Sequence, residues 1–250
     1  MYEYELNLAI EAARAAGEFL KKRERIHVDA SEGKDIKLSS DKLSEKIILE
    51  ILADSGIPVL SEEAGFIGIE GEFCWIIDPI DGTINYWRGL DELSCVSISL
   101  CKNETPVLGV IYRFMTDELF YGKTDSGAYK NNILLSPSSI PQTNQAIVAT
   151  GFPVKRDYSS DSLSCFVKQI QIFKKVRMLG TAALMCTFVA SGIVDAYMED
   201  EIMIWDICAA KAIVEAAGGV TSLERLPENK CIFKAFSNKK LMEDYYAQIL

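Results

Sequence analysis

The sequence predicts an α+β fold, in which two helices and a mainly antiparallel sheet precede a half that alternates strand and helix. Three observations support this prediction. Two segments before residue 53 carry apolar residues at helical spacing. The stretch from 93 to 123 alternates apolar and polar residues, as strands joined by hairpins do. Beyond residue 140, short apolar runs alternate with helical patterns, which is typical of α/β architecture.

Apolar faces predict the first two helices. Between residues 4 and 22, the helical positions are occupied by Leu6, Ala9, Ile10, Ala13, Ala16 and Leu20. Ser39-Ser40-Asp41 offers capping side chains for a second helix. The apolar face of that helix is Leu43, Ile47, Ile48, Ile51 and Leu52. The polar segment 21–38 predicts a mobile loop with room for a short extended piece, able to cover a site.

Two predicted strands end in acidic residues. The strand at 57–60 runs into Ser61-Glu62-Glu63, and the strand at 73–77 stops at Asp78. If these strands are neighbours in one sheet, Glu62 and Asp78 lie at the same edge, as a metal site requires. A solvated loop is the alternative for the two glutamates, because charged pairs often begin surface loops.

The turn Asp78-Pro79-Ile80-Asp81-Gly82-Thr83 carries the clearest chemical signal. Pro79 fixes its own φ and lacks an N–H, so the turn between the two acids is stiff. The backbone N–H groups of Gly82 and Thr83 suit an oxyanion such as phosphate. Carboxylates hold hard cations, so the residues indicate metal-dependent phosphate-ester chemistry. An ordinary turn explains the same Pro and Gly, and partners elsewhere in the chain must decide between the two.

The pattern breaks near residue 140, at Ser136-Pro137-Ser138-Ser139 and Pro141, which divides the chain into halves 1–140 and 141–250. The predicted strands of the second half are 146–149, 175–178, 193–198, one near 220 and 231–235. Its predicted helices are 162–173, 181–190, 205–217 and one from 238 onwards. Trp205-Asp206 opens the third of these helices, so Asp206 is a third candidate ligand. An Asp at this place also caps a helix, and that alternative stays open.

Length and composition exclude several classes of protein. The chain has 250 residues, of which 49% are hydrophobic, enough for a substantial core. Mean hydropathy is +0.10, and no apolar run approaches the roughly 18 residues of a membrane span. The N-terminal residues are acidic, unlike a secretory signal, so a soluble cytoplasmic protein is expected. The seven scattered cysteines lack a Cys-x-x-Cys pair and are predicted to be reduced core residues.

Charge and histidine content narrow the chemistry. The formal net charge of −10 argues against binding a nucleic-acid polymer, and means that an anionic substrate needs a local cation. The single histidine, His27, lies in a charged run and is predicted at the surface. Its isolation disfavours Ser-His-Asp catalysis and His-ligated zinc. Carboxylates, hydroxyls and a metal remain for catalysis.

Read together, three motifs resemble the signature of the inositol monophosphatase family, within the lithium-sensitive, magnesium-dependent phosphatase superfamily. They are Glu62-Glu63, residues 78–86, and the stretch from Trp205-Asp206 to Gly218-Gly219-Val220. Residues 177–183 and 189–197 look like the linking segment of the family, so the resemblance spans almost the whole chain. It implies the layered α-β-α-β-α sandwich of the sugar phosphatase fold.

The resemblance implies a site with two or three Mg²⁺ ions, inhibited by Li⁺. The implied ligands are Glu62, Asp78 and the Ile80 carbonyl for one ion, and Asp78, Asp81 and Asp206 for a second. Two-metal hydrolysis uses one cation to activate water and the other to steady the leaving oxygen.

Other residues acquire roles from the same resemblance. Thr83 and Asp41 resemble the pair that orients the attacking water, with Glu62 as a further catalytic residue. Glu63 is expected to lie next to the metal ligands and to orient them without binding the metal itself. The implied contacts with a small phosphate ester are Gly82, Thr83, Asp81, Gly180, Thr181, Ala182, Glu199 and Asp206. Glu199 matches the acid that accepts hydrogen bonds from inositol hydroxyls. A homodimer is also implied.

The chain departs from the family pattern at three places. Ser61 stands where the family usually has glycine, and the stretch 87–93 lacks the usual proline and reads one residue longer. Lys34 matches only weakly as a phosphate or metal-loop contact.

The expected activity is hydrolysis of inositol monophosphate or a related sugar phosphate. The alternatives on this scaffold are 3′(2′),5′-bisphosphate nucleotidase, fructose-1,6-bisphosphatase and histidinol-phosphatase activities, because a fold does not fix a function. Ile84-Asn85-Tyr86 after Gly-Thr favours the inositol type over the nucleotidase. A non-enzymatic binding module is disfavoured, because every expected ligand is present.

Overall fold

The computed structural model describes residues 1–23, 28–32, 35–153 and 156–249, so His27 and Lys34 lie outside the described residues. Within those ranges the helices are α1 Glu3–Lys21, α2 Ser39–Leu52, α3 Thr83–Arg88, α4 Ser160–Ile170, α5 Ala182–Ala190, α6 Ile204–Ala216 and α7 Lys239–Ile249. The strands are β1 Val28–Glu32, β2 Asp35–Leu38, β3 Val59–Ser61, β4 Gly65–Ile67, β5 Phe73–Asp81, β6 Cys95–Lys102, β7 Thr105–Arg113, β8 Glu118–Lys123, β9 Ala128–Lys130, β10 Ile133–Leu134, β11 Ile147–Thr150, β12 Lys175–Arg177, β13 Ala196–Met203, β14 Val220–Arg225 and β15 Lys230–Phe236.

Two large sheets form the frame of the molecule. The first has the order β10-β9-β8-β7-β6-β5-β3-β4, and all its pairs are antiparallel except β3 with β5. The second has the order β12-β11-β13-β15-β14, in which β11 runs parallel to both its neighbours. The strands confirm the prediction of an antiparallel N-terminal sheet followed by an α/β half. The division into two folding units near residue 140 stays a prediction.

Helices and sheets alternate in five layers. Helices α1 and α2 cover one face of the large sheet, around Leu20, Trp75 and Tyr112. Helices α5 and α6 lie between the two sheets, where Ile207 packs in one cluster with Phe120 and Phe233. Helix α7 and the end of α4 cover the outer face of the smaller sheet, in a cluster that includes Val148, Phe236 and Tyr245. This arrangement confirms the expected α-β-α-β-α sandwich.

The central helices are buried on most sides, as helices between two layers must be. Gly109 of β7 shows how closely α6 approaches the large sheet. A Cβ at this position would lie 2.1 Å from the Ala209 carbonyl oxygen, so only glycine fits. Backbone contact therefore fixes the position of α6 above the sheet.

Some elements differ from the predictions. Strand β5 continues through Pro79 to Asp81, because its pairing with β6 is irregular between Asp78 and Asp81, and a bulge tolerates proline. Strand β13 begins at Ala196 and continues through the acidic residues to Met203, also with an irregular register. The extended piece expected within 21–38 is an antiparallel pair, β1 with β2. Across the described residues, no helix is both long and apolar enough to cross a membrane.

Candidate active site

The parallel pairing of β3 and β5 brings Glu62 and Asp78 to the same edge of the large sheet. Ser61 lies opposite Ile77 in the register, so each strand delivers its acid at the next residue. The Glu62 backbone N–H donates to the Ile77 carbonyl at 3.3 Å. The two acids therefore lie at one edge, as the sequence suggested. Burial raises the pKa of Asp78, and the charge of Glu62 raises it further.

Asp81 lies at the N-terminus of helix α5. Its carboxylate accepts hydrogen bonds from the Thr181 hydroxyl, from the Ala183 N–H at 2.8 Å and from the Ala182 N–H at 3.3 Å. Helix N-termini stabilise anions in this way. Burial nevertheless raises the pKa of Asp81 to about 6, against these bonds. The hydroxyl of Thr181 and the N–H of Ala182, expected to contact substrate, are thus directed at Asp81.

Asp206 reaches the same edge from helix α6. It is not the N-cap: Met203 occupies that position, and Asp206 lies in the first helical turn. Its carboxylate instead accepts a hydrogen bond from the Met203 N–H. This satisfies an orphan donor at the helix start, so capping and a second role are compatible.

The acids at this edge interact through their charges. Burial is the largest cause of the raised pKa of Asp78, and the charges of Glu62, Asp81 and Asp206 raise it further. Removal from water also raises the pKa of Asp206, with Glu62 and Asp81 adding to it. In the described part of the chain, no ion pair contains Asp78, Asp81 or Asp206. Such a cluster favours binding of a cation.

The donor set fits magnesium. Carboxylate and carbonyl oxygens are the ligands that this hard cation prefers, and Ile80 supplies a carbonyl from the irregular end of β5, between Asp78 and Asp81. Among the described residues, no three acid, cysteine or histidine side chains are already gathered closely enough to hold one ion. Like charges repel at short range, so we expect closer packing only with a cation between the carboxylates.

Thr83 and Asp41 are in contact beside this cluster. The Thr83 hydroxyl lies 3.5 Å from Asp41 Oδ1 and 2.8 Å from the Ile80 carbonyl. Asp41 Oδ2 accepts the Leu38 N–H at 2.7 Å, so Leu38 is the N-cap of α2, not a residue of the Ser39-Ser40-Asp41 motif. Burial raises the pKa of Asp41 to about 7.

Gly82 precedes Thr83 at a tight point of the backbone. Its φ is +84°, and a Cβ there would lie 2.6 Å from the Leu93 carbonyl oxygen. Asn85, which the sequence analysis did not single out for a role, donates to the Leu93 carbonyl at 2.9 Å and to the Leu179 carbonyl at 2.7 Å. Asn85 therefore ties the turn after β5 to the segment that leads into α5. Only the fold brings these carbonyls together.

Glu199 approaches from strand β13. Its side chain is buried, and burial raises its pKa to about 8. A Cβ on Gly151 would lie 2.3 Å from Glu199 Oε1, so the missing side chain of Gly151 makes room for the carboxylate. Gly180 adopts φ +71° beside the Asn85 side chain.

Glu63 and the stretch 87–93 lie around the acids. Lys37 Nζ lies 3.1 Å from Glu63 Oε2, in an ion pair that leaves 7% of the Glu63 side chain exposed. In the stretch after α3, Asp91 forms an ion pair with Arg23 at the end of α1. The loop beside the site is thus held by a charge contact that its sequence did not indicate.

Comparison with known proteins identifies the family of this chain. The model of the inositol monophosphatase family matches residues 1–234. The chain belongs to the inositol monophosphatase family. This is a family of phosphatases, and its members are generally Mg²⁺-dependent.

Individual relatives of the inositol monophosphatase family agree with this assignment. A protein called Nus factor SuhB, from Xylella fastidiosa, is 35% identical over 221 residues, covering 86% of this chain and 80% of that protein. A fructose-1,6-bisphosphatase/inositol-1-monophosphatase from Aquifex aeolicus is 33% identical over 252 residues, covering 98% and 94%. The solved inositol monophosphatase from Anabaena superposes with a TM-score of 0.85 at 31% identity, covering 99% of this chain and 95% of that one.

Proposed function

We propose that this protein is a Mg²⁺-dependent phosphomonoesterase that hydrolyses inositol monophosphate or a related sugar phosphate. One observation carries the proposal. The Thr83–Asp41 pair lies beside Asp78 and Asp206, whose pKa values are raised by burial and by the charges of Glu62 and Asp81, and the backbone at Gly82 leaves no room for a side chain. A water-orienting pair, hard ligands and a narrow phosphate turn are the parts that metal-assisted ester hydrolysis needs.

The proposed ligands are Glu62, Asp78 and the Ile80 carbonyl for one ion, and Asp78, Asp81 and Asp206 for the other, with Glu63 supporting them. When bound, the ions would lower the pKa of water and polarise the ester. Thr83 would orient the attacking water by accepting a hydrogen bond from it, while its own hydroxyl donates a hydrogen bond to Asp41. The N–H groups of Gly82 and Thr83 would bind the phosphate.

Glu199 would recognise the sugar or polyol. A carboxylate accepts hydrogen bonds from neighbouring hydroxyls, and Glu199 stands near enough to Asp81 and Asp206 for their charges to affect one another. Because the Thr181 hydroxyl and Ala182 N–H bind Asp81, we propose that these groups act by orienting Asp81. Gly180 would provide backbone next to the substrate.

Fructose 1,6-bisphosphate is the second candidate substrate. The Aquifex relative carries both activities in its name and matches 98% of this chain. Hydrolysis of inositol 1-phosphate and of fructose 1,6-bisphosphate should therefore be compared in one assay.

Phosphate release tests these proposals. Purified protein should hydrolyse inositol 1-phosphate in a panel with fructose 1,6-bisphosphate, 3′-phosphoadenosine 5′-phosphate and histidinol phosphate, only with Mg²⁺ and less with Li⁺. Asp78→Asn should abolish turnover and leave the protein folded. Asp54→Asn, which changes an exposed acid, should leave turnover at the wild-type value. No release from any ester would favour a binding module that kept the fold.

We also propose a cytoplasmic homodimer that binds no nucleic-acid polymer, given the net charge of −10. Light scattering after size exclusion tests the dimer. The name Nus factor SuhB, carried by a relative, favours a role in transcription instead of or besides catalysis. Retention of labelled RNA by the purified protein would support that role and would overturn the proposal that the protein binds no nucleic-acid polymer.

A further inference from the structure

Helix α2 directs three polar side chains toward three segments of the candidate active site. Asp41, Ser44 and Glu45 are spaced so that one helix face carries them. They are only 3%, 0% and 7% exposed, respectively. Asp41 contacts Thr83, and the Ser44 hydroxyl donates to the Pro79 carbonyl at 3.0 Å. Burying a polar group is costly without a hydrogen-bond partner, and each of these three side chains has one. The polar face of α2 therefore ties the helix to the segments that it contacts.

Glu45 makes the contact that bears most directly on the acids. Its Oε1 accepts hydrogen bonds from the Ser61 hydroxyl and from the Ala64 backbone N–H, the latter at 2.9 Å. These two donors lie immediately before Glu62 and immediately after Glu63. The Glu62 N–H is held from the other side by the Ile77 carbonyl. The turn that carries Glu62 is therefore fixed at both ends.

The two adjacent glutamates of this turn have separate surroundings. Lys37 pairs with Glu63, whereas Glu62 directly follows the pair of Ser61 with Ile77 in the parallel register, and so lies beside Asp78. The hydrogen bonds that fix the turn therefore hold Glu62 on the side of Asp78 and Glu63 on the side of Lys37.

We propose that Glu45 is a positioning residue, which holds the turn 61–64 so that Glu62 faces Asp78, and that Ser61 is its partner in this chain. The inference rests on the proposed function, because it takes Glu62 as a Mg²⁺ ligand. Glycine, the residue usual at position 61 in the family, has no hydroxyl to donate. Partners that orient metal ligands often change metal affinity when they are removed.

Two variants of Glu45 test the proposal. The carbonyl oxygen of Glu45→Gln can accept both hydrogen bonds, whereas Glu45→Leu can accept neither. Calorimetric titration with Mg²⁺ should show an affinity about tenfold weaker in Glu45→Leu and close to wild type in Glu45→Gln. Hydrogen exchange of the metal-free protein should show faster exchange at the Ala64 amide in Glu45→Leu alone.

Two serines provide a matched comparison. Ser61→Ala removes one of the two donors and should weaken Mg²⁺ binding by a smaller factor than Glu45→Leu. Ser40→Ala removes a buried hydroxyl of the same helix that has no hydrogen-bond partner among the described residues, and should change neither readout.

Several results would overturn the inference. One is a Glu45→Leu variant that keeps wild-type Mg²⁺ affinity and slow exchange of the Ala64 amide. Another is a Glu45→Gln variant whose Mg²⁺ affinity is as weak as that of Glu45→Leu. If Glu45→Leu does not fold, wild-type affinity in Ser61→Ala overturns it. Mg²⁺ binding and phosphate release by the wild type report on the proposed function separately. A wild type that shows neither overturns both.

Discussion

Gly151→Ala is the sharpest test of the substrate side of the site. The added Cβ would lie 2.3 Å from Glu199 Oε1, where ordinary contact begins at 3.4 Å. The backbone cannot easily retreat, because Thr150 pairs with Met198 and its hydroxyl donates to the Met198 carbonyl at 2.7 Å. The Glu199 carboxylate must therefore move by about 1 Å, a displacement that can cost about 100-fold in rate.

Two substrates separate this effect from general damage. We expect Gly151→Ala to lower kcat/KM for inositol 1-phosphate by roughly 10- to 100-fold, and to leave that for 4-nitrophenyl phosphate, which has no polyol, nearly unchanged. Gly71→Ala is the matched control, since its Cβ would meet only one atom, at 4.0 Å. In a Glu199→Ala background, Gly151→Ala should have no further effect. Equal losses on both substrates, or full additivity with Glu199→Ala, would refute the reasoning.

Three further predictions concern the core and the acids. Gly109→Ala should lower the free energy of unfolding by about 3 kcal/mol or more, because its Cβ would overlap the Ala209 backbone. In thermal melts, Tm should fall by roughly 6 to 12 °C. An unchanged Tm would contradict the close packing of α6. Thr181→Val should weaken Mg²⁺ binding measured by calorimetry, because the Asp81 carboxylate loses a hydrogen bond; unchanged binding would count against that orienting role. Burial raises the pKa of Asp41 from 3.8 to about 7, so its folded form prefers the proton and stability falls as pH rises between those values. Metal-free Asp41→Asn should accordingly melt higher than the wild type at pH 8 but not at pH 4, and the opposite order would show that Asp41 is stabilised as an anion.

Much of the fold follows from local patterns in the sequence. Period-2 alternation predicted the strands around 94–122, apolar faces predicted helices near α1 and α2, and a continuous apolar run predicted a helix near α5. The ends of elements were less predictable. Proline reads as a strand terminator, yet β5 passes Pro79, because a neighbouring strand can resume pairing after a bulge. Pairing with a neighbour is a property of the sheet and is not visible in one segment.

The candidate residues divide in the same way. The motif residues 78–83 were identified from the sequence because the chemistry of a turn is local: proline, glycine and two acids act within a few residues of one another. Their partners were not predictable. Glu45 and Gly151 read as ordinary helix and loop residues, and Asn85 as a motif residue without a role of its own. The partners of all three lie far along the chain.

The sequence by itself determined which chemical groups this protein can use, namely carboxylates, a Thr hydroxyl and a Gly-Thr step whose N–H groups suit phosphate, in a histidine-poor, acidic chain. Tertiary structure decided which of these groups face one another. Parallel pairing set Glu62 beside Asp78, and the start of α5 turned Thr181 toward Asp81. It also made helix α2 the support of the acidic turn. The physical reason is that residue identity fixes which interactions a side chain can make, whereas burial and distance fix which of them it does make.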